Sequence, residues 1–204
     1  MSKILVAGIG TDVGKTIVSA ILTTLMKGDY WKPIQYVDGE NSDTAMMKSL
    51  IDTTKHTIHP STYSLRTPLS PHHAARLEGI TIDPDLIIPP ETTRTLIIES
   101  VGGIYVPLTT TTLSMDLFKA WDCLWVIVSR HYLGSINHTL LTVDALKRQD
   151  VSIAGLIFNG EPNHDSEEVI LKISQLPLLG RLLPEANVDL QTIYRYATQW
   201  QPIL

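Results

Sequence analysis

A mostly parallel β-sheet with helices on both faces is predicted for this chain by three observations. Short apolar runs alternate with segments of helical spacing along the whole sequence. Those runs are continuous rather than alternating, as strands buried on both faces require. The first, Ile4-Leu5-Val6-Ala7, leads straight into Gly8-Ile9-Gly10-Thr11-Asp12-Val13-Gly14-Lys15-Thr16, which opens a helix. Strand, glycine-rich loop, Gly-Lys-Thr and helix in that order make a phosphate loop, the P-loop, which cradles a nucleotide triphosphate. Backbone N–H groups turn onto the phosphates, Lys15 brings a charge to the β- and γ-phosphates, and Thr16 offers a hydroxyl to magnesium. The spacing departs from the usual loop by one residue. Gly8 lies six before Gly14, so either the loop is longer by one or Gly10 makes the early turn.

The elements follow in order. Lys15 to Met26 carries Ile17, Ala20, Ile21 and Leu25 at helical spacing. Tyr30 to Gln35 reads as a second strand. Ser42 to Leu50 reads as a helix with Ser42 as its N-cap. Thr53 to Leu69 has no period and reads as loop. Ser70-Pro71 begins a helix with proline at its first position. Pro89-Pro90 breaks the chain before a strand from Thr95 to Glu99. A strand at 124–128, a helix at 135–147, a strand at 151–158 and a helix at 166–173 come next. A short strand at 178–182 and a helix at 190–196 close the pattern. No internal repeat interrupts it, and one domain is expected to cover residues 1–204.

Composition narrows the function. The chain has 204 residues, 44% hydrophobic and 18% charged, enough for one large α/β core. A net charge of −5 argues against a general nucleic-acid binder. A single cysteine, Cys123, allows no internal disulfide and is simplest in a reduced cytoplasm. The first residues do not read as a signal peptide, and no apolar run is long enough to span a bilayer.

Ligands of such sheets sit at the carboxyl ends of the strands. The residues expected there are the phosphate loop, Lys32 and Tyr36, Asn41-Ser42-Asp43, Glu99-Ser100-Val101-Gly102-Gly103, Gly134-Ser135-Ile136-Asn137 and Asn159-Gly160. Asp43 and Glu99 with Thr16 would suit magnesium, which takes oxygen ligands and keeps waters. His72, His73 and His138 read as helix-start or packing residues, and Trp121, Trp125 and Trp200 as packing residues.

Gly-x-x-Thr-Asp-Val-Gly-Lys-Thr, Lys-Pro-Ile-Gln, Asn-Ser-Asp, Ser-Pro-His, Glu-x-x-Gly-Gly-x-x-x-Pro-Leu, Leu-Gly-x-Ile-Asn-His and Leu-Leu-Gly occur in that order. Over nearly its full length the chain resembles the dethiobiotin synthetases. That resemblance implies a P-loop fold, a homodimer and the penultimate step of biotin synthesis. Carbon dioxide and 7,8-diaminononanoate give a carbamate, ATP phosphorylates it, and the second amine closes a cyclic urea. The same resemblance implies roles. Asp12, Val13, Gly14, Lys15, Thr16 and Ile17 hold the phosphates; Thr16, Asp43 and Glu99 hold magnesium. Lys15 and Lys32 are catalytic, flanking the γ-phosphate and the carbamate, where charge builds. Their charge also helps keep an amine neutral enough to trap carbon dioxide.

The resemblance further places Ser100, Val101 and Gly102 at the nucleotide. Asn159 and Gly160 would read the adenine, and Leu182, Leu183 and Pro184 would wall it. Gly134, Ser135, Ile136 and Asn137 would offer a helix N-terminus to the substrate carboxylate across the dimer. Three departures stand out. Tyr36 stands where a small hydroxyl residue is common, Ser100-Val101 replaces Gly-Ala, and Ile9-Gly10 replaces Thr-Asp. Two other readings keep the fold. One is a switch ATPase like those of partition and septum placement, which carry a second lysine where this chain has Ile9 and Gly10. The other is a non-catalytic nucleotide-binding relative.

Overall fold

The structure, a computed structural model, describes residues 2–203. Its main sheet has seven strands in the order β10-β9-β8-β1-β7-β2-β5. These are β1 (Lys3–Gly8), β2 (Asp29–Trp31), β5 (Ile58–His59), β7 (Leu96–Gly103), β8 (Leu124–Arg130), β9 (Ile153–Asn159) and β10 (Leu178–Leu182). Every pairing in it is parallel. The continuous apolar runs are explained by this, since both faces are covered.

Alternation along the strands divides the core in two. Leu5, Ala7, Ile98, Trp125, Ile127 and Phe158 face one layer. There they meet α3 (Pro71–Glu78), α4 (Ser114–Phe118), α5 (Ser135–Lys147) and α6 (His164–Ser174) through Ala74, Phe118, Leu146 and Ile170. Ile4, Val6, Tyr30, Ile97, Val126 and Ile157 face the other layer. That side is covered by α1 (Lys15–Leu25), α2 (Asp43–Leu50) and α7 (Leu190–Gln199), through Val18, Ile21, Met47 and Ile193.

A smaller three-stranded sheet is ordered β4-β3-β6 and lies beside the strand ends. It is formed by β3 (Ile34–Asp38), β4 (Asn41–Ser42) and β6 (Tyr63–Leu65). The expected strand from Tyr30 to Gln35 is therefore two strands in two sheets. Pro33 is the cause: it has no N–H for the ladder and restricts Lys32 before it. The expected loop from Thr53 to Leu69 contains β5 and β6, too short to show a period. The strand expected at 95–99 runs on to Gly103, and α4 was not foreseen. The helix at 135–147 and the strand at 178–182 fall as the sequence predicts. Ser42 caps α2 by accepting from the Ala45 N–H at 3.0 Å, and Pro71 opens α3.

Candidate functional site

β1 lies between β7 and β8, and the loop from Ile9 to Gly14 leaves its carboxyl end. A Cβ at Gly8 would lie 2.6 Å from Val13, whereas Gly10 faces open space. The longer loop is thus the reading that the geometry supports. The turn itself is made by Asp12 (φ 56°) and Gly14 (φ 97°), both left-handed. Gly14 caps α1 without a side chain, so the first N–H groups of the helix stay open toward the loop.

Four charged side chains converge beneath this loop. Lys15 is 7% exposed and donates from Nζ to the Gly10 carbonyl at 2.8 Å. Burial, and next the charge of Lys32, pull its pKa down to about 8. Lys32 follows β2, and its Nζ lies 2.6 Å from both Asp43 Oδ2 and Glu99 Oε1. Burial works against the Lys32 charge, but Glu99 and Asp43 outweigh it and its pKa is raised. Burial likewise opposes the Asp43 carboxylate, and Lys32 overcomes it to hold the pKa below the usual range. Thr16 Oγ1 lies 2.9 Å from Asp43 Oδ1 and 3.0 Å from Glu99 Oε1. With one proton, that hydroxyl serves one carboxylate at a time.

Each position has a local cause. Asp43 is the first residue of α2, where an acid is favoured by the helix dipole. Glu99 lies two residues beyond Ile97 on β7 and so shares its face. Gln35 Oε1 accepts from the Thr44 N–H and hydroxyl, tying β3 to the start of α2. The ionic groups open into a cleft of about 910 Å³, also lined by Asp12, Ile17, Tyr36, Val101 and Gly102 and, across it, by Leu69 and Ser70. Tyr36 is 40% exposed there.

The other expected residues are distributed differently. Val13 and Leu182 are buried in the core, with the Val13 side chain packed against Gly8 and that of Leu182 near Gly14. Ser100 is buried with an unpartnered hydroxyl and does not line the cleft. For Val13 and Leu182, apolar packing claims the side chain that the motif offers. Asn159 donates from Nδ2 to the Val13 carbonyl at 2.8 Å, and so holds the phosphate loop. Gly160, Pro184 and Gly134 to Asn137 line a second cleft of about 1070 Å³. Leu183 is half exposed beside it in sequence. Gly134 (φ 105°) caps α5 with no side-chain hydrogen bond; the Ser135 N–H donates to the Tyr132 carbonyl at 3.0 Å, and the N–H groups of Ile136 and Asn137 stay open. His72 pairs with Ser70 and His138 with Tyr132, as helix-start residues do.

Sequence reading missed three residues here. Gln35 is visible only in a short motif. Arg130 donates to the Asp12 carbonyl at 3.1 Å across 118 residues, which no local pattern signals. Tyr30 donates to Glu99 Oε2 at 2.8 Å; its place two residues before Lys32 is the signal that could have found it.

A parallel sheet with this loop at its centre, an open helix N-terminus and buried lysines facing carboxylates defines a P-loop nucleotide-binding protein. A family profile described as an AAA domain matches residues 2–192. The ATP-dependent dethiobiotin synthetase BioD of Chlamydia pneumoniae is 43% identical over 203 residues, covering 100% of this chain and 91% of that protein. That of Christiangramia forsetii is 42% identical over 196 residues, 96% of this chain and 94% of the relative. The chain belongs to the dethiobiotin synthetase family, ATP-dependent ligases of biotin biosynthesis. Among solved structures, the septum site-determining protein MinD of Pyrococcus horikoshii gives a TM-score of 0.59 at 14% identity, covering 97% of this chain and 95% of that one. A ParA family ATPase of Chlorobium tepidum gives 0.58 at 12%, covering 99% and 91%. These share the fold; the reading as a partition-like switch is not favoured.

Proposed function

We propose that the 910 Å³ cleft is where ATP, carbon dioxide and diaminononanoate meet. The observation that carries this is the convergence of Lys15, Lys32, Thr16, Asp43 and Glu99 under one phosphate loop. An amine of the diamine attacks carbon dioxide and loses a proton, giving a carbamate. A carbamate oxygen attacks the γ-phosphorus and ADP leaves, giving a carbamic–phosphoric mixed anhydride. The second amine attacks its carbonyl carbon, phosphate leaves, and loss of a proton completes the cyclic urea. Lys15 and the open N–H groups at the start of α1 hold the phosphates, and Lys32 faces the oxygen being phosphorylated. Both lysines stabilise charge that develops on the transferring group.

Thr16, Asp43 and Glu99 would hold magnesium. The donor set fits: it is all oxygen, and the two carboxylates already converge on the cationic Lys32. Among the described residues no group of three or more His, Cys, Asp or Glu is placed to hold a metal. Most ligands would therefore come from phosphate and water, as magnesium commonly takes them. When bound, the ion supplies charge neutralisation at the phosphates.

The second cleft fits the substrate's carboxylate end, received from a partner subunit at Gly134 to Asn137 in a homodimer. Its uncapped helix start supports this reading. Residues 1–204 then act as one P-loop domain, both core layers lying on one sheet. Among the described residues no helix is long and apolar enough to cross a membrane, and a cytoplasmic enzyme without nucleic-acid partners is the reading that the net charge of −5 and lone cysteine support. Purified protein with diaminononanoate, bicarbonate, magnesium and ATP is expected to form dethiobiotin with stoichiometric phosphate. ATP hydrolysis without dethiobiotin would overturn the proposal.

A further inference from the structure

Tyr30 is completely buried, and its hydroxyl is aimed at a charged group rather than at the core. It belongs to the core layer of Ile4, Val6, Ile21 and Ile97, on the sheet face that α1 covers. Tyr30 pairs with Ile97 across β2 and β7. Two residues further along each strand direction stand Lys32 and Glu99, on the same face by the alternation of side chains. The phenol therefore sits directly beneath the ionic group.

The carboxylate of Glu99 divides its two oxygens. Oε1 faces Lys32 at 2.6 Å and Thr16 at 3.0 Å. Oε2 faces Tyr30 at 2.8 Å. Glu99 is 1% exposed, so water does not supply a replacement partner for Oε2 at low cost. A neutral donor below the carboxylate has a specific consequence. It satisfies one oxygen without adding a third cation, and it fixes the rotation that presents the other oxygen to the cleft. Burial, and next Glu99 itself, raise the phenol's pKa well above the ordinary value, so it remains a donor.

We infer that Tyr30 is a positioning residue, which locks the Glu99 carboxylate so that Oε1 alone faces Lys32, Thr16 and the bound nucleotide's metal. Without the lock, the carboxylate is free to turn and pair Lys32 through either oxygen. Tyr30 touches neither substrate nor metal in this role; it acts through Glu99. The inference rests on the reading of Glu99 as part of the nucleotide site.

The test is Tyr30→Phe, which removes one oxygen and keeps the ring. Calorimetry with a non-hydrolysable ATP analogue, with and without magnesium, gives the factor by which the metal tightens binding. That factor is expected to fall about tenfold, the size expected for a lost hydrogen bond to a charged group, with metal-free affinity little changed. Turnover at saturating ATP is expected to fall by a similar factor while KM for ATP changes much less. A lowered melting temperature with unchanged metal factor and kcat would overturn the inference, leaving Tyr30 a packing residue.

The pair Glu99→Gln and Tyr30→Phe/Glu99→Gln approaches from the other partner and leaves no buried charge unpaired, so it stays informative if Tyr30→Phe does not fold. Both are expected to show the same metal factor; a further loss in the double variant would overturn action through Glu99. Glu99→Ala separates the two levels. If it keeps the metal factor, the site reading fails. If it loses the factor while Tyr30→Phe does not, only the role of Tyr30 fails.

Discussion

Each of the two clefts has a buried glutamate beside it, and the two are held in opposite ways. Glu99, on β7, must share Lys32 with a second carboxylate, Asp43, and Lys15 stands close by with a depressed pKa. Glu167, on α6, is 2% exposed and takes His131 Nε2 at 3.1 Å on one oxygen and Arg181 at 2.7 Å on the other. Burial opposes its charge, but Arg181 and His131 overcome that and hold its pKa below the usual value. Its partners come from the ends of β8 and from β10, so the cluster clips three elements together. Burial and pairing alone thus do not mark a functional site. Glu99 lies where the strand ends open into a cleft and where two carboxylates converge on one ammonium, whereas the partners of Glu167 close on it.

The largest expected effect breaks the first site and spares the second. Lys15→Ala, Asp43→Ala and Glu99→Ala are each expected to lower phosphate release by about 10³-fold or more, the scale of lost preorganised charge. Circular dichroism should show these single variants folded, because in each of them the buried Lys32 keeps at least one carboxylate partner. Normal turnover in an Asp43→Ala/Glu99→Ala double variant would remove both from the site.

The next effect concerns the second cleft. On the proposed reading, Asn137→Asp would set a negative charge against the substrate carboxylate and is expected to raise the diamine KM about tenfold or more, with ATP binding unchanged. Assayed at diamine concentrations well below the wild-type KM, where Asn137→Asp subunits turn over slowly, mixing them with inactive Lys15→Ala subunits should bring activity to about a quarter of wild type. Random exchange makes half the dimers mixed, each with one intact site. Absence of recovery from subunits shown to exchange would place the site within one chain.

Glu167→Gln inverts the pattern. It is expected to cost about 2 kcal/mol in urea unfolding, below the figure for a fully buried pair because Arg181 is 39% exposed. Turnover per folded molecule should persist, and a dead but stable variant would make Glu167 a site residue. The same comparison extends to pH. The folded pKa of Glu167 is depressed, so its stabilisation is present above its unfolded value near 4.5 and is lost as pH falls through the folded one. The gap between wild type and Glu167→Gln should therefore narrow on acidification. Lys15 acts at the other end. With its folded pKa at about 8 against 10.5 unfolded, the unfolded chain holds more protons in that window. Its contribution to stability therefore rises with pH from 8 to 10.5, and Lys15→Ala should remove that rise.

The smallest effect belongs to Tyr36. If its hydroxyl reads the substrate, Tyr36→Phe raises the diamine KM about fivefold, the value of one neutral hydrogen bond, and leaves ATP untouched. An unchanged KM would assign Tyr36 to packing.

Particular residues show what the chain alone determined. The parallel sheet was legible because both-face burial forces continuous apolar runs, and the phosphate loop because its chemistry is local: glycine for left-handed backbone, lysine for charge, threonine for a hydroxyl. Lys32 and Asp43 were legible as strand-end and helix-start residues, since the carboxyl edge of such a sheet is predictable, and Glu99 as the end of a strand that in the fold runs on to Gly103. Only the tertiary structure decided which of them share a charge. The burial of Ser100 and Leu182 away from the cleft followed from packing, and the clips from Arg130 to Asp12 and from Tyr30 to Glu99 join residues far apart in sequence. Periodicity and motif report a residue's own backbone neighbourhood. Burial and the partner of a buried polar group depend on how strands and helices pack, and a pattern along the chain carries no distance between them.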